Sequence, residues 1–151
     1  MNLTYSLCFM FIASFIIQYF FMSLIMVDDF IHITHNIGKA YLAGIMAVSM
    51  MIIEVLMHDH QYHSLSYKLY IIFAILLAGL VYVYRFQVGI DDNQYVKGMI
   101  EHHSMALYTS KEMVAKTNNY NVAKLAKNII QTQTDELSEM REILNKKERN
   151  L

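Results

Sequence analysis

The chain has 151 residues, of which 56% are hydrophobic and only 17% are charged, a balance that argues against a soluble globular protein and for a membrane protein. A net charge of −1 gives no electrostatic footprint for nucleic acid, and the single cysteine, Cys8, excludes an intramolecular disulfide. The charges are also uneven, because residues 1–27 carry none and most lie in residues 91–151.

Three apolar runs predict three membrane-spanning helices. Residues 5–26 are uncharged and long enough to cross a bilayer, and they lack the basic start and small-residue cleavage site of a signal peptide. Residues 40–57 form the second run. Residues 69–84 form the third, about 24 Å long as a helix, with Lys68 and Arg85 at its ends. Three crossings would place the first loop and the C-terminal region on one side.

Ionisable residues in and between these runs are weaker candidates for function. The first loop, residues 27–36, is interpreted as a solvated turn with histidines at the membrane interface. Glu54 shares a helical face with His58, and it either marks a functional site in the membrane or reaches the headgroup region. The second loop holds three histidines and an aspartate that could bind copper or zinc: His58, Asp59, His60 and His63.

After Gly89 the pattern changes to two amphipathic helices, which we expect to form an antiparallel hairpin. The first is capped by Asp91 or Asp92 and ends at about Lys116, residues 117–121 form a turn, and residues 122–147 form the second helix. Each helix carries two neighbouring apolar seams, and one helix neighbour covers only one seam. The pattern therefore predicts a homodimer that forms a four-helix bundle. The opposite face of the first helix is charged: Lys97, Glu101, Lys111 and Glu112.

The inner stripes of the hairpin bring polar and thioether side chains to one level. If the turn centres on residues 119–120, His103 faces Glu136 and Met99 faces Met140. Buried polar groups need partners, so these side chains either satisfy one another or bind a metal ion. Thioether sulfur selects Cu(I), whereas imidazole accepts copper or zinc, so copper is preferred to zinc. The candidate metal ligands are His102, His103, Met99, Glu136, Met140 and Gln133.

No pattern predicts catalysis. The hairpin helices lack the paired Glu-x-x-His motifs of di-iron carboxylate proteins and the His-Glu-x-x-His motif of hydrolytic zinc enzymes. We therefore name no catalytic residue and expect that the chain is not an enzyme.

Residues 92–140 resemble the DUF305 family of bacterial helical-hairpin domains. The resemblance rests on the run Met99-Ile100-x-His102-His103, followed by Ser104-Met105-Ala106, and on the run Gln133-x-x-Glu136-Leu137-x-x-Met140. It implies an all-α fold with three transmembrane helices in residues 1–88, as in a membrane-bound subgroup. A soluble antiparallel hairpin in residues 89–151 would then form a ferritin-like or four-helix bundle by dimerisation. Glu101 stands where the family often has proline, which adds a carboxylate beside the site.

Since some members of that family are linked to copper binding and tolerance, the leading hypothesis is a membrane-anchored protein for copper buffering or homeostasis. Its expected partners are the lipid bilayer and a second copy or other membrane subunits, but not nucleic acid. The alternative is a structural or accessory subunit of a larger membrane complex, with the histidines as core polar residues. A metal transporter that uses Glu54 and His58 ranks lowest.

The expected location is the bacterial inner membrane. Lys39 and Arg85, against Lys68 on the other side, weakly place the hairpin in the cytoplasm. The family resemblance favours the opposite, non-cytoplasmic side, which is our expectation.

Overall fold

The computed structural model describes residues 3–149, with the side chains of residues 3–147, and this part of the chain contains helices and loops but no strand. A short 3₁₀ turn, Phe30–His32, follows the first long helix, and a π-helical turn, Ile17–Phe21, lies inside that helix. The all-α class predicted from the sequence is confirmed. The long helices are α1 Leu3–Met26, α2 Ile37–Tyr62, α3 Tyr67–Arg85, α4 Asp92–Lys116 and α5 Tyr120–Arg149.

The first compact unit contains the chain up to Met22 together with Ile37–Gly89. Within the described residues, α1, α2 and α3 are each long and apolar enough to cross a membrane, as the three apolar runs predict. Ala43 and Ala47 of α2 are fully buried, and small side chains of this kind let helix backbones approach closely. The larger residues of this core are Leu7, Val48, Val55 and Phe73.

The second compact unit contains the C-terminal hairpin from Ile90 onward together with Ser23–Asn36. The Asp91 carboxylate accepts a hydrogen bond from the backbone N–H of Gln94 at 2.8 Å and so caps α4. The Asn119 side chain accepts one from the N–H of Asn121 at 2.9 Å at the start of α5. The predicted Asp91 cap is therefore confirmed, whereas the turn is shorter than the predicted residues 117–121, because α5 already begins at Tyr120. The apolar residues between α4 and α5 are Ile100, Leu107 and Leu137, flanked by Val96, Ile130, Met140 and Leu144.

The segment Ser23–Asn36 corrects the sequence analysis, which assigned residues 23–26 to the first apolar run and residues 27–36 to a solvated turn. It groups with the hairpin instead, and its residues Val27, His32 and Asn36 are buried. The reason is that its polar groups bond to side chains of α4, far away in sequence. A single boundary near residue 88 therefore does not describe how the chain divides.

Candidate functional site

α4 and α5 bring three of the six candidate metal ligands to one level of the hairpin. His103 Nδ1 lies 3.1 Å from Glu136 Oε2, as the predicted register requires. The Gln133 amide nitrogen donates a hydrogen bond to the same carboxylate oxygen at 3.2 Å. The side chain of His103 is only 14% exposed and that of Glu136 is 44% exposed, so the pair lies at the edge of the core.

His103 is the unusual member of this group. Its Nδ1 is buried and, despite the short distance to Glu136, makes no hydrogen bond of acceptable geometry within the described chain. Burial lowers the pKa of His103; the carboxylate of Glu136 opposes this shift, and the charge of His102 adds to it. His103 is therefore neutral near pH 7, and neutral imidazole is the form that ligates metal ions.

His102 is exposed, and the centre of its ring lies 5.9 Å from that of His103. A metal–nitrogen bond of about 2 Å places a ring centre about 3 Å from the ion, so two imidazoles on one ion have centres within about 6 Å of each other. The spacing of the two rings is therefore within the reach of a shared ion, although adjacent helical residues point in different directions.

The two methionines are placed differently from each other. Met140 packs against the buried core of Ile100, Leu107 and Leu137, whereas Met99 is partly buried one helical turn before His102. Among residues 3–147, no three His, Cys, Asp or Glu side chains converge closely enough to hold a metal ion. A metal ion on this hairpin would therefore need thioether or amide ligands, or ligands from a second chain.

The sequence analysis placed His58, Asp59 and His60 in the second loop, but they lie in the last turns of α2, and together with His63 they do not form the suggested metal cluster. Instead, Asp59 organises the loop, because its carboxylate accepts hydrogen bonds from Ser64 Oγ at 3.0 Å, Ser66 N at 2.6 Å and Tyr70 Oη at 3.0 Å. The ring of His58 stacks on Tyr62 at 4.6 Å between centres. The aspartate is thus committed to the connection between α2 and α3.

Glu54, the other candidate within the apolar runs, also has a local partner. Its Oε1 accepts a hydrogen bond from Ser6 Oγ of α1. Since a neighbouring helix supplies this contact, Glu54 has a structural role that requires no ligand.

Sequence reasoning missed Glu101 as an organising residue of the second unit. Glu101 is 9% exposed; Oε1 accepts a hydrogen bond from the N–H of Thr34 at 2.6 Å, and Oε2 accepts one from Ser23 Oγ at 3.2 Å. Thr34 Oγ1 in turn donates to the carbonyl oxygen of Lys97 at 2.7 Å. The charged face of α4 is therefore covered by Ser23–Asn36 at Glu101, whereas Lys111 and Glu112 on the same face are exposed.

Ser104 is the second residue that the sequence did not reveal. Its side chain is fully buried; Oγ accepts a hydrogen bond from the N–H of Asp28 at 2.9 Å and lies 2.9 Å from His32 Nδ1. Lys111 of α4 also forms an ion pair with the Asp28 carboxylate at 2.7 Å. The only signal in the sequence was a polar stripe on α4 and a polar loop elsewhere, without any indication that they meet.

Comparison with known proteins places the chain in a family. Residues 87–150 match the family described as "Domain of unknown function (DUF305)". An uncharacterized protein of Acanthamoeba polyphaga mimivirus is 33% identical over 139 residues, which cover 91% of this chain and 90% of the viral protein. That similarity extends through the apolar helices as well as the hairpin. No solved structure matches the chain. The chain belongs to the DUF305 family.

Proposed function

We propose that the chain is a membrane-anchored metal-binding protein whose hairpin holds Cu(I), with His103 as the leading ligand and His102 beside it. The observation that carries the proposal is the neutral, partly buried imidazole of His103. Its Nδ1 has no aligned hydrogen-bond partner in the described chain, and the second imidazole is 5.9 Å away between ring centres. Glu136 would act as a ligand or would orient His103, while Gln133 holds the carboxylate in place.

Copper fits this donor set better than zinc does. Structural zinc takes four ligands, chiefly cysteine, histidine and carboxylate, and no three such side chains converge within residues 3–147. Cu(I) prefers soft donors, and Met99 supplies a thioether one turn from His102. Exposure of His102 leaves the site open to exchange with other carriers, which suits buffering or transfer better than catalysis.

The membrane helices and a second chain complete the proposal. The three apolar helices would anchor the protein, with the hairpin on the non-cytoplasmic side. Beside His102, the seam of α4 leaves Tyr95 and Met113 exposed, which supports docking of a second copy that adds the missing ligands.

A structural or accessory role without metal is the second candidate. It is favoured by the contacts that Gln133, Glu136 and His103 already make with one another inside one chain. In that case the three side chains would only supply polar partners to one another at the edge of the hairpin core.

A competition assay separates the two functions. The full chain in nonionic detergent is titrated with Cu(I) under anaerobic conditions against a chromogenic Cu(I) chelator. We expect His103→Ala to weaken the affinity at least about tenfold, since it removes a direct ligand bond. Met99→Leu should weaken the binding of Cu(I) but not of Zn(II), because it removes a soft ligand while nearly keeping the volume.

The matched control is His60→Ala, which removes an exposed histidine of α2, outside the hairpin. It should leave the affinity for Cu(I) unchanged. If the wild-type protein competes no better than His103→Ala, while far-UV circular dichroism shows that both are folded, the metal-binding function is wrong and the structural role stands.

A further inference from the structure

A cleft lies beside the 3₁₀ turn, away from the residues of the His103 group. It is a cleft of about 480 Å³ within the second unit. Its floor is apolar, formed by the buried Leu107 and Leu137. Polar side chains of α5, including Ser138 and Arg141, and the ring of His32 form its walls. An apolar cleft with a few converging polar groups is the usual form of a small-ligand site.

Arg141 carries the uncompensated positive charge of the cleft. Glu142 also lines the cleft, but its carboxylate is paired with Lys146 at 2.7 Å, and the nearby Asp28 is paired with Lys111 at 2.7 Å. Asp29 also lies near His32, but its side chain accepts a hydrogen bond from the N–H of Ile31 and caps the 3₁₀ turn. Within residues 3–147, no carboxylate forms an ion pair with Arg141.

The hydrogen bonds of Ser104 determine which nitrogen of His32 carries the proton. Ser104 is fully buried, and its Oγ already accepts the N–H of Asp28. The His32 Nδ1 at 2.9 Å is the acceptor available to the hydroxyl proton, and a buried hydroxyl proton without an acceptor is costly. Ser104 therefore donates to Nδ1, and neutral His32 carries its proton on Nε2. That N–H has no hydrogen-bond acceptor among the described residues, so it is left for a ligand.

The cleft thus offers the guanidinium of Arg141, the hydroxyl of Ser138 and the Nε2–H of His32, all hydrogen-bond donors and one of them charged. We propose that this cleft binds a phosphate group. Arginine suits this ligand because its planar fork donates two parallel hydrogen bonds to phosphate oxygens. Ser23–Asn36 joins two helices able to span a membrane, so the phosphate could belong to a phospholipid headgroup or be free in solution. The site does not depend on metal binding by the hairpin.

Binding to the full chain in nonionic detergent tests the proposal with two probes. The first is inorganic phosphate, followed by calorimetry. The second is phosphatidylglycerol in mixed micelles, compared with diacylglycerol, which has the same acyl chains but no phosphate. We expect Arg141→Gln to weaken binding of the phosphate-bearing probe at least about tenfold, because it removes the charged bidentate donor. Lys127→Gln removes the same charge from an exposed position of α5 outside the cleft and should leave binding unchanged.

Each result has a definite meaning. Binding of phosphatidylglycerol but not of inorganic phosphate identifies a lipid headgroup as the ligand, and comparable binding of both identifies a free phosphate compound. If neither probe binds, or if Lys127→Gln weakens binding as much as Arg141→Gln, the cleft is not a phosphate site. Since Arg141 is exposed, a matching thermal unfolding midpoint of Arg141→Gln shows that the loss is not due to misfolding.

Discussion

Buried polar side chains on two sides of helix α4 differ in whether they are hydrogen-bonded. On one side, Glu101 and Ser104 are buried, and their oxygens are engaged by the Ser23–Asn36 segment. On the other side, His103 is largely buried beside Glu136, but its Nδ1 has no aligned hydrogen bond within the described chain. A fully satisfied buried network fixes one arrangement of the chain, whereas an unsatisfied buried nitrogen is a place where a ligand can bind. Glu101 and Ser104 thus hold the Ser23–Asn36 segment against α4, whereas the neighbouring His103 is available to a ligand.

The strongest test of this contrast is Glu101→Ala. The substitution leaves the buried hydroxyl of Ser23 and the partly buried N–H of Thr34 without their acceptor. We expect the free energy of unfolding to fall by about 2–3 kcal/mol. Unfolding of the full chain in detergent, followed by far-UV circular dichroism, measures the change. The control is Glu112→Ala, which removes the same side chain from an exposed position of α4 and should change the free energy by less than about 0.5 kcal/mol. Equal effects would mean that Glu101 does not hold the segment.

A smaller loss is expected for Ser104→Ala, since only one hydroxyl is removed. The N–H of Asp28 and Nδ1 of His32 then lose their partner, at a cost of about 1–2 kcal/mol in the free energy of unfolding. The same unfolding measurement applies. Ser138→Ala on the exposed face of α5 is the matched control and should be nearly neutral. A neutral Ser104→Ala would contradict the view that this side of α4 is a satisfied network.

The third prediction concerns pH and the two histidines whose pKa is lowered by burial, one on each side of α4. Burial lowers the pKa of His103 and of His32 in the folded chain, below the value of about 6.5 expected after unfolding. The unfolded chain therefore binds more protons, so the stability from both groups is complete above pH 6.5 and is lost as the pH falls toward the folded pKa values. The thermal unfolding midpoint of the metal-free protein should be lower at pH 5.5 than at pH 7.5.

The variant His103→Gln tests the share of His103. It should reduce the difference in thermal unfolding midpoint between the two pH values by the amount that His103 contributes. His60→Gln, at an exposed position, should leave the difference as it is in the wild type. An unfolding midpoint that does not change with pH, or an equal effect of the two substitutions, would show that burial of His103 does not penalise its charged form.

The elements that local patterns specify were predictable. The apolar runs marked α1, α2 and α3, and the Asp91 cap and the polar turn marked the hairpin, from which the pairing of His103 with Glu136 followed. The hydropathy and the helical period act within a few residues, so one sequence is enough to read them.

The contacts that local patterns do not specify were missed. Thr34 and Glu101 meet across a long stretch of chain, and nothing near either residue indicates the other. Asp59 appeared to belong to a metal-binding loop because its histidine neighbours are conspicuous, whereas its actual partners are Ser64, Ser66 and Tyr70. Hydroxyl groups are common in any loop, so their pairing with one carboxylate becomes visible only in three dimensions.

The discontinuous second unit has a consequence for excising or transplanting the hairpin. The family match begins at residue 87, whereas the hydrogen bonds of Glu101 and Ser104 come from Ser23–Asn36. A fragment that begins at residue 87 would contain Glu101 and Ser104 without the Ser23–Asn36 segment that covers them. Both side chains would then be exposed to water. The family match and the compact unit therefore have different boundaries, and a graft of the hairpin must include both Ser23–Asn36 and the chain from Ile90 onward.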